Sequence, residues 1–258
     1  MFGDGMKFDV TVRKDLATTG VRGLDSLLGG GIPYGTSLLL LAEPGGGSET
    51  FAEQFIMGGL QSGEEISYFS TERPIEEIKK EMLRFGWDTA PFEEAGKIKF
   101  IDAYTPRFIH IMPKSLIKKQ DAKEYLRSGA DALSLLKSVM VDECTTEYRG
   151  VIDSLSFFLT KYNLEDVTKV MESVMSMCKV TRGTRLFLMT RGMHDSLIEN
   201  TMKHMADGVI EFIIRERGSE LERQVVIRKM RGMFIPNKTF IYHITPRGIE
   251  LETTTRVL

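Results

Sequence analysis

The chain has 258 residues, of which 42% are apolar and 27% charged, and its formal net charge is −2. This composition is ordinary for a globular protein and fits one large domain or two small ones. It supplies no overall basic charge to draw the chain to nucleic acid or a membrane surface, and no run approaches the ~20 apolar residues of a membrane-spanning helix. Two cysteines without metal-ligand spacing and a mixed-charge N-terminus, unlike a signal peptide, favour a reduced, cytoplasmic setting.

Apolar strands alternate with amphipathic helices in the first part of the chain, which predicts a parallel α/β sheet. The helix after the second strand is expected to begin at Pro74, since proline suits the first helical position. The predicted strands are Ser37–Ala42, Ile66–Ser70 and Lys97–Asp102, and the predicted helices cover Glu49–Leu60, the segment from Pro74 to Phe85, and residues 121–147.

The second part begins with the same alternation and then changes to strands separated by turns. Gly218–Ser219 is typical of a hairpin tip, so the last strands are expected to be antiparallel. The predicted elements are strand Gly150–Asp153, helix Asn163–Arg182, and strands Arg185–Thr190, Gly208–Arg215, Leu221–Arg231, Thr239–Thr245 and Gly248–Leu251. We therefore expect a single three-layer α/β domain over residues 1–258, with a mainly parallel sheet and antiparallel C-terminal strands.

The glycine-rich turn between the first strand and its helix has the context of a phosphate-binding loop, whose pattern is GxxxxGK[ST]. In that pattern, backbone N–H groups hold the phosphates, a lysine offsets their charge, and a hydroxyl ligates magnesium. The candidate nucleotide-binding residues here are Pro44, Gly45, Gly46, Gly47, Ser48, Glu49 and Thr50. The alternative is that three glycines simply form a strand-to-helix turn.

Two positions of the loop depart from the pattern in charge. The lysine position holds Ser48 and the hydroxyl position holds Glu49, while Ala42 replaces the first glycine. Each unit charge beside a phosphate is worth about 4 kcal/mol at ~4 Å and an effective dielectric of ~20, before solvent and magnesium reduce it. Thr50 lies one residue too far along to replace the hydroxyl. The loop is thus expected to bind triphosphate weakly, if at all.

Several segments in order resemble KaiC-like members of the RecA superfamily, over roughly residues 18–252. The resemblance implies a RecA-like phosphate-loop fold and, in active members, ATP and magnesium as ligands. The segments that carry it are Thr19–Ile32 (TGVRGLDSLLGGGI), Glu43–Phe51, Phe85–Asp88 (FGWD), Gly96–Asp102, Val151–Ser156 (VIDSLS) and Ile227–Gly232 (IRKMRG).

The resemblance also implies roles for residues outside the loop. Glu72 matches the first of two carboxylates that polarise the attacking water, whereas the second position holds Arg73. Asp153 matches the aspartate that supports magnesium, with a strand-end cap as the alternative, and Thr190 lies near a γ-phosphate sensor position. Lys229 and Arg231 match a basic pair that reaches the nucleotide of a neighbouring subunit, the alternative being a solvated strand face.

Glu49 and Arg73 are reciprocal charge changes, so we expect them to form an ion pair in the space of magnesium and the γ-phosphate. This favours a non-hydrolysing pseudo-ATPase with no required cofactor, in which Glu72 is vestigial as a catalytic residue. Its expected role is assembly or regulation, as a homo-oligomer or with a paralogous ATPase, without nucleic acid or membrane. The alternatives are an atypical active ATPase and a recombinase-like DNA-associated protein.

Other candidates are weaker. The four histidines have no ligand spacing, so no metal site is assigned. His194–Asp195 follows a core strand, where related recombinases carry DNA-binding loops, but a polar connection is the better interpretation. The lysines of Lys114–Lys123 are typical of a solvated face.

Overall fold

The computed structural model describes residues 16–111, 131–142 and 148–252. The strands are β1 (Leu16–Ala17), β2 (Ile32–Pro33), β3 (Ser37–Ala42), β4 (Glu65–Ser70), β5 (Ile98–Asp102), β6 (Tyr148–Asp153), β7 (Thr184–Thr190), β8 (Gly208–Arg217), β9 (Glu220–Met230), β10 (Phe240–Thr245) and β11 (Gly248–Leu251). The helices are α1 (Arg22–Leu27), α2 (Ser48–Gln61), α3 (Ile75–Arg84), α4 (Ala90–Glu94), α5 (Ala132–Asp142), α6 (Leu155–Lys161), α7 (Leu164–Thr181) and α8 (Ser196–Met205), and a 3₁₀ helix spans Thr105–Ile111.

One nine-stranded sheet organises the described residues, in the order β11-β10-β9-β8-β3-β7-β6-β4-β5. The strands from β8 to β5 pair in parallel, and β8 to β11 pair antiparallel in sequence. β3 lies near the centre, as its uninterrupted apolar sequence predicts for a strand covered on both faces. The predicted fold, a mainly parallel sheet with antiparallel C-terminal strands, is confirmed.

Helices cover both faces of the sheet, which gives the predicted three layers. Side chains alternate along β3, so Leu38 and Leu40 join the core under α1, α2 and α3, while Leu39 and Leu41 join the core under α5 to α8. The carboxyl ends of the six parallel strands meet at one edge of the sheet, the C-terminal edge. Ligands of such sheets bind at this edge, so it positions the candidate site.

The element boundaries differ from the predictions in a few places. Pro74 caps α3 with extended backbone (ψ 145°) instead of beginning the helix. Only Ala132–Asp142 of the long helix predicted over 121–147 belongs to the described residues, with Leu133 and Leu136 buried as expected. The lysine segment Lys114–Lys123 lies outside the described residues. Within the described ranges, none of the helices is both long and apolar enough to cross a membrane.

Candidate functional site

The glycine-rich loop connects β3 to α2 at the C-terminal edge. Gly47 has a left-handed backbone (φ 80°) and is the N-cap of α2, so Ser48 and Glu49 form the first helical turn. Gly46 N–H donates to the carbonyl oxygen of Glu43 at 2.8 Å, which closes the turn. The structure therefore has the strand, glycine turn and helix order that a phosphate-binding loop needs.

Two loop glycines are in contact with strands of the same chain. A Cβ atom at Gly46 would lie 2.8 Å from the Glu43 carbonyl oxygen and 3.3 Å from Phe212. A Cβ atom at Gly47 would lie 2.7 Å from the Cδ1 atom of Ile244, and its positive φ also disfavours a side chain. The Tyr242 hydroxyl donates to the Gly46 carbonyl oxygen. Contact with the loop backbone thus favours glycine at position 46, and the left-handed backbone favours it at position 47.

Charged side chains in and around the loop also contact it. The Glu43 carboxylate accepts hydrogen bonds from Ile214 N–H at 3.0 Å and from Arg191 at 3.2 Å. Arg223 donates from Nε to the Gly45 carbonyl oxygen at 3.2 Å. Arg223 is therefore a cation in direct contact with the loop, on a chain segment that the sequence motifs did not single out.

The ends of β4 and β6 bring Glu72 and Asp153 to the same edge. Ser70 pairs with Asp153 in the parallel register, and the Thr71 hydroxyl donates to the Asp153 carbonyl oxygen at 3.1 Å. The Ser154 hydroxyl donates to the Glu72 carboxylate at 2.8 Å. The phosphate loop, Glu72 and Asp153 are thus gathered at one edge of the sheet.

Arg73 lies among three carboxylates at this edge. Its guanidinium is 3.1 Å from Glu53 Oε1 and 3.5 Å from Asp153 Oδ2, and it also bonds to Glu81. The side chain of Glu53 is fully buried, that of Asp153 is 5% exposed, and that of Arg73 is 17% exposed. One cation therefore connects α2, α3 and β6 around the candidate site. We call Arg73, Glu53, Glu81 and Asp153 the Arg73 cluster.

The predicted ion pair between Glu49 and Arg73 is wrong. Glu49 accepts a hydrogen bond from the neighbouring Ser48 hydroxyl at 3.2 Å, and the arginine pairs with Glu53 instead. Glu53 is four residues further along α2, so it lies on the same helix face, one turn from Glu49. Arg73 does pair with a carboxylate of α2, but that carboxylate is Glu53, one helical turn beyond Glu49.

Burial dominates the protonation of this cluster. Desolvation raises the pKa of Glu53 to about 8, although Arg73 opposes the shift. Desolvation likewise raises the pKa of Asp153 to about 6, against the effects of Arg73 and of a 2.9 Å hydrogen bond from the Tyr68 hydroxyl. Burial disfavours the charged form of Arg73, but the negative charges around it outweigh this and raise its pKa. The arginine therefore stays charged while Glu53 holds a proton at neutral pH.

A second arginine at this edge, Arg107, lies near Glu72. Arg107 donates to the Thr71 carbonyl oxygen and stacks over the ring of Phe157, 4.3 Å from its centroid. Burial lowers the pKa of Arg107, and the charge of Glu72 is the largest effect opposing that shift. Both carboxylates that the sequence assigned to this edge are therefore accompanied by an arginine of the same chain.

Lys229 and Arg231 lie at the opposite, N-terminal edge of the sheet. Lys229 pairs with Val209 near the start of β8, whereas the phosphate loop follows the far end of the parallel strand β3. The Lys229 ammonium donates to three carbonyl oxygens at the end of α8, those of Lys203 (3.1 Å), His204 (2.9 Å) and Ala206 (2.5 Å). Arg231 pairs with Asp207 at 2.8 Å. They do not reach the loop of their own chain, and a role across a subunit junction stays a prediction.

Two smaller expectations concern the end of β7. Thr190 lies at the C-terminal edge, where its N–H donates to the Ser156 hydroxyl at 2.9 Å. Asp195 caps α8 by accepting from Ile198 N–H at 2.9 Å, which supports the interpretation of His194–Asp195 as a polar connection.

The sequence interpretation missed Glu53, Tyr68, Glu81 and Arg107. Glu53 interrupts the apolar face of α2 between the buried Ala52 and Phe55, and a charged residue there is the one signal that could have found the cluster. Tyr68 belongs to a buried strand, and its hydroxyl is unremarkable until the fold brings it to Asp153. Glu81 and Arg107 are ordinary surface residues by sequence.

Comparisons with known proteins show the family to which the chain belongs. The family model "ATPase: KaiC" matches residues 17–256. A UPF0273 protein of Thermotoga maritima is 30% identical over 244 residues, covering 90% of this chain and 93% of that protein. A UPF0273 protein of Pyrococcus horikoshii is also 30% identical over 244 residues, covering 90% and 91%.

A solved structure of a KaiC-like protein is also similar to this chain. The crystal structure of a KaiC-like protein from Pyrococcus horikoshii has a TM-score of 0.67 and 27% identity, over 91% of this chain and 97% of that one. The match therefore extends over nearly the whole of both chains. This chain belongs to the KaiC-like family of RecA-superfamily ATPases.

Proposed function

We propose that this chain is a KaiC-like domain that does not hydrolyse ATP and that acts in assembly or regulation. The observation that carries the proposal is the position of Arg73, 3.5 Å from Asp153 and 3.1 Å from Glu53. In this family Asp153 matches the magnesium-supporting aspartate, so a resident guanidinium takes the place where the divalent cation's charge would be needed. Because the Arg73 guanidinium already pairs with Asp153 and would repel a divalent cation, this edge does not fit magnesium.

The phosphate loop supports the same proposal. Ser48 has no charge to offset a triphosphate, and Glu49 adds a negative charge at the first turn of α2. The negative charge of Glu49 already contributes to the raised pKa of Asp153, so the two carboxyls are close enough to repel. A triphosphate at this loop would meet the same repulsion.

The family and the intact fold suggest what such a domain does. The sheet and its glycine-rich loop provide a surface for other subunits, and family membership suggests copies of this chain or an active paralogous ATPase as partners. Such a domain would regulate an assembly by taking a subunit position in it without hydrolysing ATP.

Calorimetry with Mg–ATP tests the proposal. We expect no binding in the micromolar range by the wild-type chain, and a gain of at least about 100-fold in affinity for the Ser48→Lys/Glu49→Thr variant, because two unit charges change beside the phosphates. The matched control makes the same two substitutions at an exposed neighbouring pair of α7, Glu172→Thr/Ser173→Lys, and should leave binding unchanged. Micromolar binding by the wild-type chain would reject the proposal.

An atypical ATP-binding site is the second candidate, and one contact favours it. Arg223 touches the loop at Gly45 and supplies a cation from β9 in place of the missing lysine. If the wild-type chain binds Mg–ATP and Arg223→Ala abolishes that binding, this candidate replaces the first.

A further inference from the structure

The hairpin formed by β10 and β11, residues 240–251, is joined to the rest of the sheet over a short length. Within the described ranges, β10 pairs with β9 at Phe240 and Ile241 alone. The two strands of the hairpin pair with each other at four positions, residues 242–245 of β10. β10 therefore separates from β9 after Ile241, and the larger part of the hairpin extends beyond the shared ladder.

The part of the hairpin that separates from β9 lies against the phosphate loop. The hydroxyl of the buried Tyr242 donates to the Gly46 carbonyl oxygen. Ile244 packs against Gly47, where an added Cβ atom would lie 2.7 Å from its Cδ1 atom. The ring of Tyr242 also meets that of Phe212 edge to face, with 5.6 Å between the centroids. The hairpin thus contacts the two residues that lead into α2.

A side chain of α2 holds the other strand of the hairpin. The Gln54 Oε1 atom accepts from Ile249 N–H at 2.7 Å, and its Nε2 atom donates to the Ile249 carbonyl oxygen at 3.4 Å. The same Nε2 atom donates to the Gly20 carbonyl oxygen at 2.8 Å. β11 is the last strand in the order of the described sheet, so Gln54 bonds to backbone groups that a further strand would otherwise pair.

The tip of the hairpin contacts the chain's single tryptophan, Trp87. Gly248 has a φ of 104°, and an added Cβ atom there would lie 2.7 Å from Trp87 Cζ2 and 2.5 Å from Gln54 Oε1. The neighbouring Arg247 is exposed. The tip is therefore packed on one side and open to water on the other, and the Trp87 ring reports its position.

We propose that the β10–β11 hairpin is a releasable lock on the phosphate loop, with its short pairing to β9 as the hinge. While the hairpin is seated, Tyr242, Ile244 and Gln54 fix the loop and the first turns of α2. Segments that are attached by few backbone pairs open at a lower free energy than the whole domain, so the hairpin can be released while the sheet stays folded. The inference rests on the proposed function, because it gives the regulation of this site a physical basis that needs no nucleotide.

Amide hydrogen exchange measured by NMR, without nucleotide, tests the proposal. The reporters of the loop are the amides of Gly46 and Phe51, which donate to the carbonyl oxygens of residues 43 and 47. Tyr242→Phe keeps the ring but removes the bond to the loop, so these amides and those of the hairpin should exchange about 2- to 10-fold faster. Gln54→Met removes both bonds to Ile249 and should accelerate the same amides by about 5- to 100-fold.

The matched control is Tyr34→Phe, which removes the bond from a tyrosine hydroxyl to Glu64 just before β3 and should leave loop and hairpin exchange unchanged. Amides of the interior strands β6 and β7 should keep their wild-type rates in every variant, and acrylamide quenching of Trp87 should increase in the two hairpin variants.

Three outcomes overturn the proposal. The first is equal acceleration in β6, β7 and the hairpin, which means global destabilisation. The second is faster exchange in the hairpin with an unchanged loop, and the third is no change in either. Because no nucleotide is present, binding of Mg–ATP by the wild-type chain would reject the proposed function without altering how these rates are interpreted.

Discussion

Buried carboxylates at the two edges of the sheet have pKa values that are shifted in opposite directions. At the C-terminal edge the single guanidinium of Arg73 faces three carboxylates, and desolvation raises the pKa of Glu53 to about 8. At the N-terminal edge, Asp207 has two cationic partners, Lys179 and Arg231, and its pKa is lowered although burial opposes this.

The number of partners explains the difference. Asp207 also accepts two hydrogen bonds from Ser37, from the hydroxyl at 2.7 Å and from N–H at 3.3 Å, whereas Glu53 Oε2 has no partner among the described residues. A carboxylate that is buried under sufficient donors stays charged, and one that shares a single cation takes up a proton. The candidate ATP site is thus the edge where buried charge is incompletely compensated.

Replacing the shared cation should have the largest effect on stability. Arg73→Met keeps an apolar stem but leaves the charged carboxylates of Asp153 and Glu81 without this cation, so we expect the free energy of unfolding to fall by about 3 kcal/mol. Urea denaturation measures it. Arg247→Ala is the control, since that side chain is 82% exposed and its pair with Glu250 should contribute less than about 0.5 kcal/mol. A loss below about 1 kcal/mol for Arg73→Met would contradict the view that the cluster is held by one guanidinium.

Removing the proton-binding group should change the pH dependence of stability. The pKa of Glu53 is raised from 4.5 to about 8, so the folded chain binds more protons between these values and stability falls as pH rises through this range. Glu53→Gln should remove that fall and gain about 2 kcal/mol relative to wild type between pH ~6 and ~8.5. Urea denaturation at the two pH values measures it. Glu165→Gln, at a side chain that is 77% exposed, should show no such gain.

The matching substitution at the other edge should have a smaller effect with the opposite dependence. The pKa of Asp207 is lowered, so its contribution to stability is present above pH ~4 and is lost as pH falls further. Asp207→Asn should cost about 1.5 kcal/mol at neutral pH, because hydrogen bonds to a charged group are lost, and the cost should decrease as the pH falls below ~4. Thermal unfolding across this range measures the difference. A cost that is the same at both pH values would mean that the two edges do not differ in the way described.

The fold was predictable from the sequence because its strands are simple. The apolar runs of β3, β6 and β7 are buried on both faces, and the turn at Gly218 ends the first antiparallel strand of the sheet. Strand order could not be worked out from periodicity, because a local pattern does not show which strands pair.

The charge network was only partly predictable. The exchange of a carboxylate for Arg73 indicated an internal ion pair, but its partner depends on which turn of α2 faces the end of β4, and that is decided by packing. Lys229 shows the same limit, because a lysine on a strand does not reveal that the end of α8 stops within hydrogen-bonding distance. Long-range contacts of this kind are properties of the folded chain.

The crowding around Gly46 and Gly47 has a consequence for how such loops evolve. A side chain at either position would collide with the loop's own backbone or with Ile244. The fold of the loop therefore favours glycine at these positions whether or not a nucleotide binds there. In comparing such sequences, the glycines report the shape of the loop and the two residues after them report its use.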